Sequence, residues 1–281
     1  MKLRQRLIFA FFRRKIKLIA VFSKKRAAEE AFKLFCTPFS GNPHTKPLIY
    51  LQGKPVKFLS HGRKIRGYRW KHPSDKKVLI IHGFGSAAYK YEKYVISLIN
   101  KGYEVLAFDA PAHGKSQGKT VNAIEYKDMI EKAIAKFGPI DMYIAHSFGA
   151  LALTLALENI EHNEQTKVAL IAPMTETSTA INNFISYLNI HDKDIRAEMD
   201  SIILRVSHQT ADWFSIKRAI KNLTAQILWI HDEDDEITPL ADTQSIQRNN
   251  YPNVTFHITK GLGHRKIYQD NNVKEMVTNF L

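Results

Sequence analysis

From residue 56 onward, short apolar runs alternate with amphipathic stretches. Val78-Leu79-Ile80-Ile81 is a continuous apolar run bounded by Lys76-Lys77 and His82-Gly83, the mark of a strand buried on both faces of a parallel sheet. The pattern predicts strands over 56–59, 65–70, 78–81, 104–108, 142–145, 168–171, 226–230 and 254–258, with a turn at His61-Gly62 joining the first two. Helical spacing fills the gaps over 87–101, 122–137, 148–160 and 240–248, and again from 267. Strands alternating with helices imply an α/β fold, with a mostly parallel central sheet and helices on both faces. Ligands bind such sheets at the carboxyl ends of the strands, so the residues just after each strand carry the functional question.

Two segments depart from this rhythm. Residues 173–223 separate two strands by far more than an ordinary connection. Stretches 178–189, 193–206 and 211–221 suit helices, with Ile181, Phe184, Ile185 and Leu188 on one face, so a small helical cap is expected here. At the other end, residues 1–26 mix basic clusters with two apolar runs, Leu7–Phe12 and Leu18–Phe22. Leu7, Phe11, Leu18 and Phe22 fall near one helical face, which Ile8, Phe12 and Ile19 widen, and a second helix is expected over 26–36. Pro38, Gly41, Pro43 and Pro47 mark a loop. The chain thus divides into a basic helical arm and linker, 1–45, and an α/β domain, 46–281, carrying the cap at 173–223.

Charge sharpens the picture of the arm. The chain has a net charge of +14, yet residues 1–26 hold ten Lys/Arg and no acid, which leaves the remaining residues at only +4. Large apolar side chains interleave these cations, which argues against a nucleic-acid track and suits an anionic membrane surface, a seat on the body or a dimer contact. Arg13-Arg14-Lys15 and Lys17 break the apolar runs well short of a membrane span, and no cleavable signal is recognised, so a cytoplasmic protein is expected, peripheral to membrane if the arm binds it. The single Cys36 excludes an internal disulfide and reads as a small buried hydrophobe.

Three strand ends carry candidate chemistry. Ala145-His146-Ser147-Phe148-Gly149 places a serine between small residues at a strand-to-helix turn, as a nucleophile elbow requires, although a capping serine at an ordinary turn has the same look. After 226–230 comes the acidic run Asp232 to Glu236, and after 254–258 comes Gly261-Leu262-Gly263-His264. A serine nucleophile needs a base, and the base needs a carboxylate to fix its tautomer, so the three segments together suggest one site. Other signals fail. Gly114-Lys115-Ser116 lacks the leading glycine of a phosphate loop, the acidic run lacks the spacing of a calcium loop, and no zinc pattern occurs. His82 and His146 read as structural.

These segments resemble the α/β-hydrolase superfamily, most closely its small serine esterases and lysophospholipase-like members, over the region from Val56 to the end of the chain. The order serine, acid, histidine is the superfamily's own. The resemblance implies that Ser147 is the nucleophile and His264 the base. It makes Asp235 the acid, because Asp235 lies four residues before Pro239. His82-Gly83-Phe84-Gly85-Ser86 resembles the oxyanion loop, which implies that the backbone N–H groups of Phe84 and Phe148 form the oxyanion hole. Asp109 to Ser116 resembles a further superfamily segment, with His113 where glycine is common. The cap implies an acyl pocket, for which Phe184, Tyr187 and Trp213 are candidates. The activity implied is hydrolysis of a small-molecule carboxylic ester through an acyl-enzyme, with no cofactor, no metal and no nucleic-acid partner. Thioester cleavage, acyl transfer and a non-catalytic binding role on the same fold stand as alternatives, and an oligomer is compatible with all of them.

Overall fold

The computed structural model describes residues 3–39 and 47–281. The loop read at Gly41 and Pro43 lies outside them. Eight strands form one sheet: β1 (Lys54–Ser60), β2 (Arg63–Trp70), β3 (Lys77–Ile81), β4 (Glu104–Phe108), β5 (Met142–His146), β6 (Lys167–Ile171), β7 (Gln226–Asp232) and β8 (Val254–Thr259), in the spatial order β1-β2-β4-β3-β5-β6-β7-β8. β1 and β2 run antiparallel, joined at His61-Gly62, and β2 pairs antiparallel with β4. From β4 to β8 every pairing is parallel.

Helices α1 (Leu3–Phe22), α2 (Lys24–Phe35) and α3 (Ile49–Gln52) precede the sheet. α4 (Glu92–Asn100), α5 (Ala123–Phe137) and α6 (Phe148–Leu157) alternate with its strands, and α7 (Thr177–Tyr187), α8 (Lys193–Ser207) and α9 (Ile216–Ala219) stand between β6 and β7. α10 (Leu240–Gln247), α11 (Gly263–Lys266) and α12 (Asn271–Phe280) complete the chain.

Side chains alternate across a strand with period two, so each central strand feeds two cores. Leu79, Ile81, Leu106, Tyr143, Leu170 and Trp229 join one apolar cluster with α5, α6 and the cap. Val78, Ile80, Val105, Ile144, Ile171 and Ile230 join the other with α4 and α12. Caps set the helix starts. Asn122 and Glu125 form a reciprocal capping box at α5, while Asp192 and Asp270 accept backbone N–H groups at α8 and α12.

The arm is packed rather than trailing. Ser23 accepts a hydrogen bond from the Arg26 N–H, ending α1 and starting α2. The small residues Ala27, Ala28 and Ala31 let α2 lie closely on α8, and Ile16 and Ala20 of α1 are buried in the same cluster. The stretch 211–221, expected as one helix, breaks into a 3₁₀ turn, α9 and a second 3₁₀ turn at Ile220–Asn222. Ser215 caps α9 and its backbone bridges Glu176, both of which compete with a continuous helix. α3 and the short α11 carry too few residues to leave a periodic signal.

Candidate active site

Ser147 opens α6 directly after β5, and its backbone adopts φ +55° and ψ −124°, a conformation that L-residues rarely hold. The surroundings over-determine it. Its N–H donates to the Ile171 carbonyl, and its own carbonyl accepts from the Met174 N–H. The turn is sterically closed as well. A Cβ on Gly149 would lie 2.4 Å from the His82 carbonyl oxygen, and one on Gly83 would lie 2.9 Å from the Ser147 Cβ. Ala145, by contrast, is buried in the strand and its methyl group is accommodated.

Ser147 Oγ lies 2.9 Å from His264 Nε2, and His264 Nδ1 lies 2.8 Å from Asp235 Oδ2. An ionised carboxylate only accepts, so Nδ1 carries the ring proton and Nε2 is left to accept from the serine hydroxyl. Asp235 is buried, which pushes its pKa up. The His264 hydrogen bond and charge, with the donors of Thr238, outweigh that and hold the carboxyl below its ordinary value. The Ile237 and Thr238 N–H groups donate to Oδ1 at 2.9 Å, and Thr238 Oγ1 donates to Oδ2 at 2.8 Å. Thr238 carried no signal in the sequence.

Asp232 does something different. It accepts from the N–H groups of Asp234, Leu262 and Gly263 and from Thr259 Oγ1, so it ties the end of β7 to the loop that delivers His264. Burial raises its pKa, but these donors prevail and lower it. Asp234 holds the same loop from outside, through the Gly261 N–H.

The loop after β3 faces the serine. The Phe148 N–H is the first of α6 and so has no intrahelical acceptor, and the Phe84 N–H has none among the described residues. The Phe84 and Phe148 rings meet edge to face at 5.8 Å. His113, the departure from the usual glycine, supports this loop, since its Nε2 accepts the Gly85 N–H at 2.9 Å while its Nδ1 donates to the Pro111 carbonyl. His82 spans β3 and the next strand end in the same manner, accepting from the Ala110 N–H and donating to the Gly83 carbonyl. Both rings are neutral. Burial lowers His82 to about 4 and His113 to about 3, with the neighbouring His82 adding to the second. His146 lies between the rings of His264 and Tyr268 and donates to the His264 carbonyl at 3.0 Å.

Comparison with known proteins agrees with this architecture. The family model described as serine aminopeptidase, S33, matches residues 72–193. An esterase of Pyrococcus furiosus, Pf2001, superposes with a TM-score of 0.67 at 21% identity, covering 88% of this chain and 96% of that one. A thioesterase domain from the curacin biosynthetic pathway superposes with a TM-score of 0.57 at 14% identity, over 80% of this chain and 98% of that domain. The chain has the α/β-hydrolase fold. Among curated sequences, a candidate esterase/lipase of Mycoplasma pneumoniae is 28% identical over 116 residues, a match spanning 40% of this chain and 42% of that one.

The serine opens into a cavity of about 420 Å³ lined mainly by apolar groups. Phe184 and Tyr187 of α7 line it. Trp213 does not, and that expectation is corrected. Its ring carries the Arg218 guanidinium 4.1 Å above it, Arg218 is held in turn by Glu158, and the adjacent Phe214 faces the cavity instead. Phe9, Phe32, Phe35 and Phe39 contribute a large part of the wall. The sequence reading assigned none of these four to the site, although Phe32 and Phe35 stand at helical spacing beside the buried alanines of α2. Cys36 also borders the cavity, and burial raises its thiol to about 12, so it is inert as a thiolate. Among the described residues no cluster suits a metal ion, and no helix is long and apolar enough to cross a membrane.

Proposed function

We propose that the protein hydrolyses a carboxylic ester with an apolar acyl chain, through an acyl-enzyme on Ser147. The observation that carries this reading is the unbroken line from Ser147 Oγ through His264 to Asp235, at 2.9 and 2.8 Å, at one end of an apolar cavity. His264 Nε2 takes the hydroxyl proton as Ser147 Oγ attacks the ester carbonyl. Asp235 stabilises the resulting imidazolium and keeps the ring oriented. The Phe84 and Phe148 N–H groups face the oxyanion of the tetrahedral intermediate, where one such donor is typically worth about 10²–10³ in rate. His264 then returns the proton to the leaving alkoxide, and the alcohol departs. In the second half a water gives its proton to His264 and its oxygen to the acyl carbon, which releases the acid and restores the serine.

The cavity wall favours a chain of methylene groups over a polar acyl group, because burying a polar group without a partner costs free energy. A fluorophosphonate probe tests the nucleophile without any choice of substrate. Labelling that maps to Ser147, and a burst of p-nitrophenol equal to the enzyme concentration with p-nitrophenyl esters, are the expected results. An unlabelled Ser147 in folded protein would remove the reading.

A further inference from the structure

We propose that the outer face of α1 is a docking surface for an anionic lipid bilayer. α1 has two apolar faces. Phe9, Phe12, Ile16, Ile19 and Ala20 turn inward onto the core cluster. Leu7, Phe11, Leu18, Val21 and Phe22 turn outward and are between 64% and 83% exposed. With 3.6 residues per turn, the outer five share one stripe half a turn away from the inner set. Folding accounts for the inner face and leaves the outer one without a partner among the described residues.

The cations of the arm divide in the same way. Lys15 pairs with Glu30 of α2, Lys24 pairs with Asp192 at the start of α8, and Arg13 donates to the Tyr187 carbonyl. These three hold the helix on the body. Arg14 lies within the outer stripe and Lys17 at its edge, and Lys25 and Arg26 follow just beyond Ser23; all four are exposed and pair with no acid among the described residues. α1 itself contains no acid. An apolar stripe bordered by unpaired cations matches the boundary between acyl chains and anionic headgroups, with each basic residue worth roughly fivefold in partition there. A second copy of the chain is a poorer occupant, because it would set the same cations against one another.

The geometry also ties the surface to the cavity. Phe9 lines the cavity and sits between the outward Leu7 and Phe11, so α1 separates bilayer from cavity by about one helix diameter, ~10 Å. Delivery of a lipid ester across that distance rests on the ester reading. Docking does not, since vesicle partition is read without turnover.

The test is co-sedimentation of the full chain with vesicles of phosphatidylcholine alone and of phosphatidylcholine with phosphatidylglycerol, at low and high salt. Wild-type protein is expected to bind the anionic vesicles at least about tenfold more tightly than the neutral ones, and to be released by salt. Leu18→Glu and Phe22→Glu should each lower binding about tenfold or more, since each removes an inserted apolar side chain and adds a repelled charge. Both should keep wild-type circular dichroism and wild-type turnover of a water-soluble acetate ester. Folded, monomeric wild-type protein that ignores anionic vesicles would overturn the proposal, as would equal binding to neutral vesicles. A dimer in light scattering that Leu18→Glu splits would overturn it too, by giving the stripe to a second copy.

Discussion

The floor and the roof of the cavity are built on different principles. The floor is made of strand ends and tight turns, where Ser147, Asp235, His264 and the Phe84 loop are held by backbone hydrogen bonds and steric closure. Each position has one acceptable geometry, and single atoms matter. The roof is made of helices α1, α2, α7 and α8, which meet through apolar packing around Phe9, Phe35 and Phe184. Packing is non-directional and tolerates exchange of one hydrophobe for another. On the proposed reading chemistry belongs to the floor and selectivity to the roof, and substitutions in the two should fail in different ways.

The largest effect is expected at the floor. Ser147→Ala should lower kcat on activated esters by up to about 10⁶ while thermal unfolding stays unchanged, and near wild-type turnover would remove the nucleophile assignment. Asp235→Asn should follow, with a loss of about 10⁴, since an amide favours the wrong tautomer of His264 and carries no charge to stabilise its protonated form.

Acid should weaken the floor through stability. His82 and His113 are neutral when folded, at about 4 and about 3, but have ordinary values near 6.5 when unfolded. The unfolded chain thus binds more protons in that window, so stability falls as the pH drops below 6.5 and the loss is complete only below the folded values. Denaturant melts should show the pair costing roughly 3 kcal/mol between about pH 6.5 and about pH 5. His113→Gln should flatten this slope if it folds, and a slope unchanged in the variant would assign the acid sensitivity elsewhere.

Asp232→Asn separates holding from reacting. It weakens the acceptor of three backbone N–H groups, so a destabilisation of about 1–3 kcal/mol is expected. Its loss of turnover should be far smaller than that of Asp235→Asn, and a larger one would exchange the roles of the two aspartates. The roof should give the smallest change. Phe35→Ala and Phe184→Ala should weaken kcat/KM for long acyl esters about tenfold and leave acetate esters nearly untouched. Trp213→Ala should not alter chain-length preference, because its ring faces Arg218 rather than the cavity.

Strand rhythm, the serine turn and the order of serine, acids and histidine could be read from the chain because each is a local signal. A buried parallel strand needs a continuous apolar run, and a tight turn needs small neighbours. By local pattern alone Asp232, Asp234 and Asp235 are equivalent, and only their spacing to Pro239 singled one out. The fold gives the imidazole to Asp235 and the backbone of the histidine loop to Asp232. The wall of the cavity was still less legible. Phe184 and Trp213 looked alike as cap aromatics, yet one meets the cavity and the other meets a guanidinium. Phe9 and Phe35 read as parts of the helical arm with no assigned place in the site, yet they close the roof. Periodicity along a helix tells which residues share a face, but not what that face will meet. That depends on groups distant in sequence, here α8 against α2 and the core cluster against α1, and it existed only once the chain had folded.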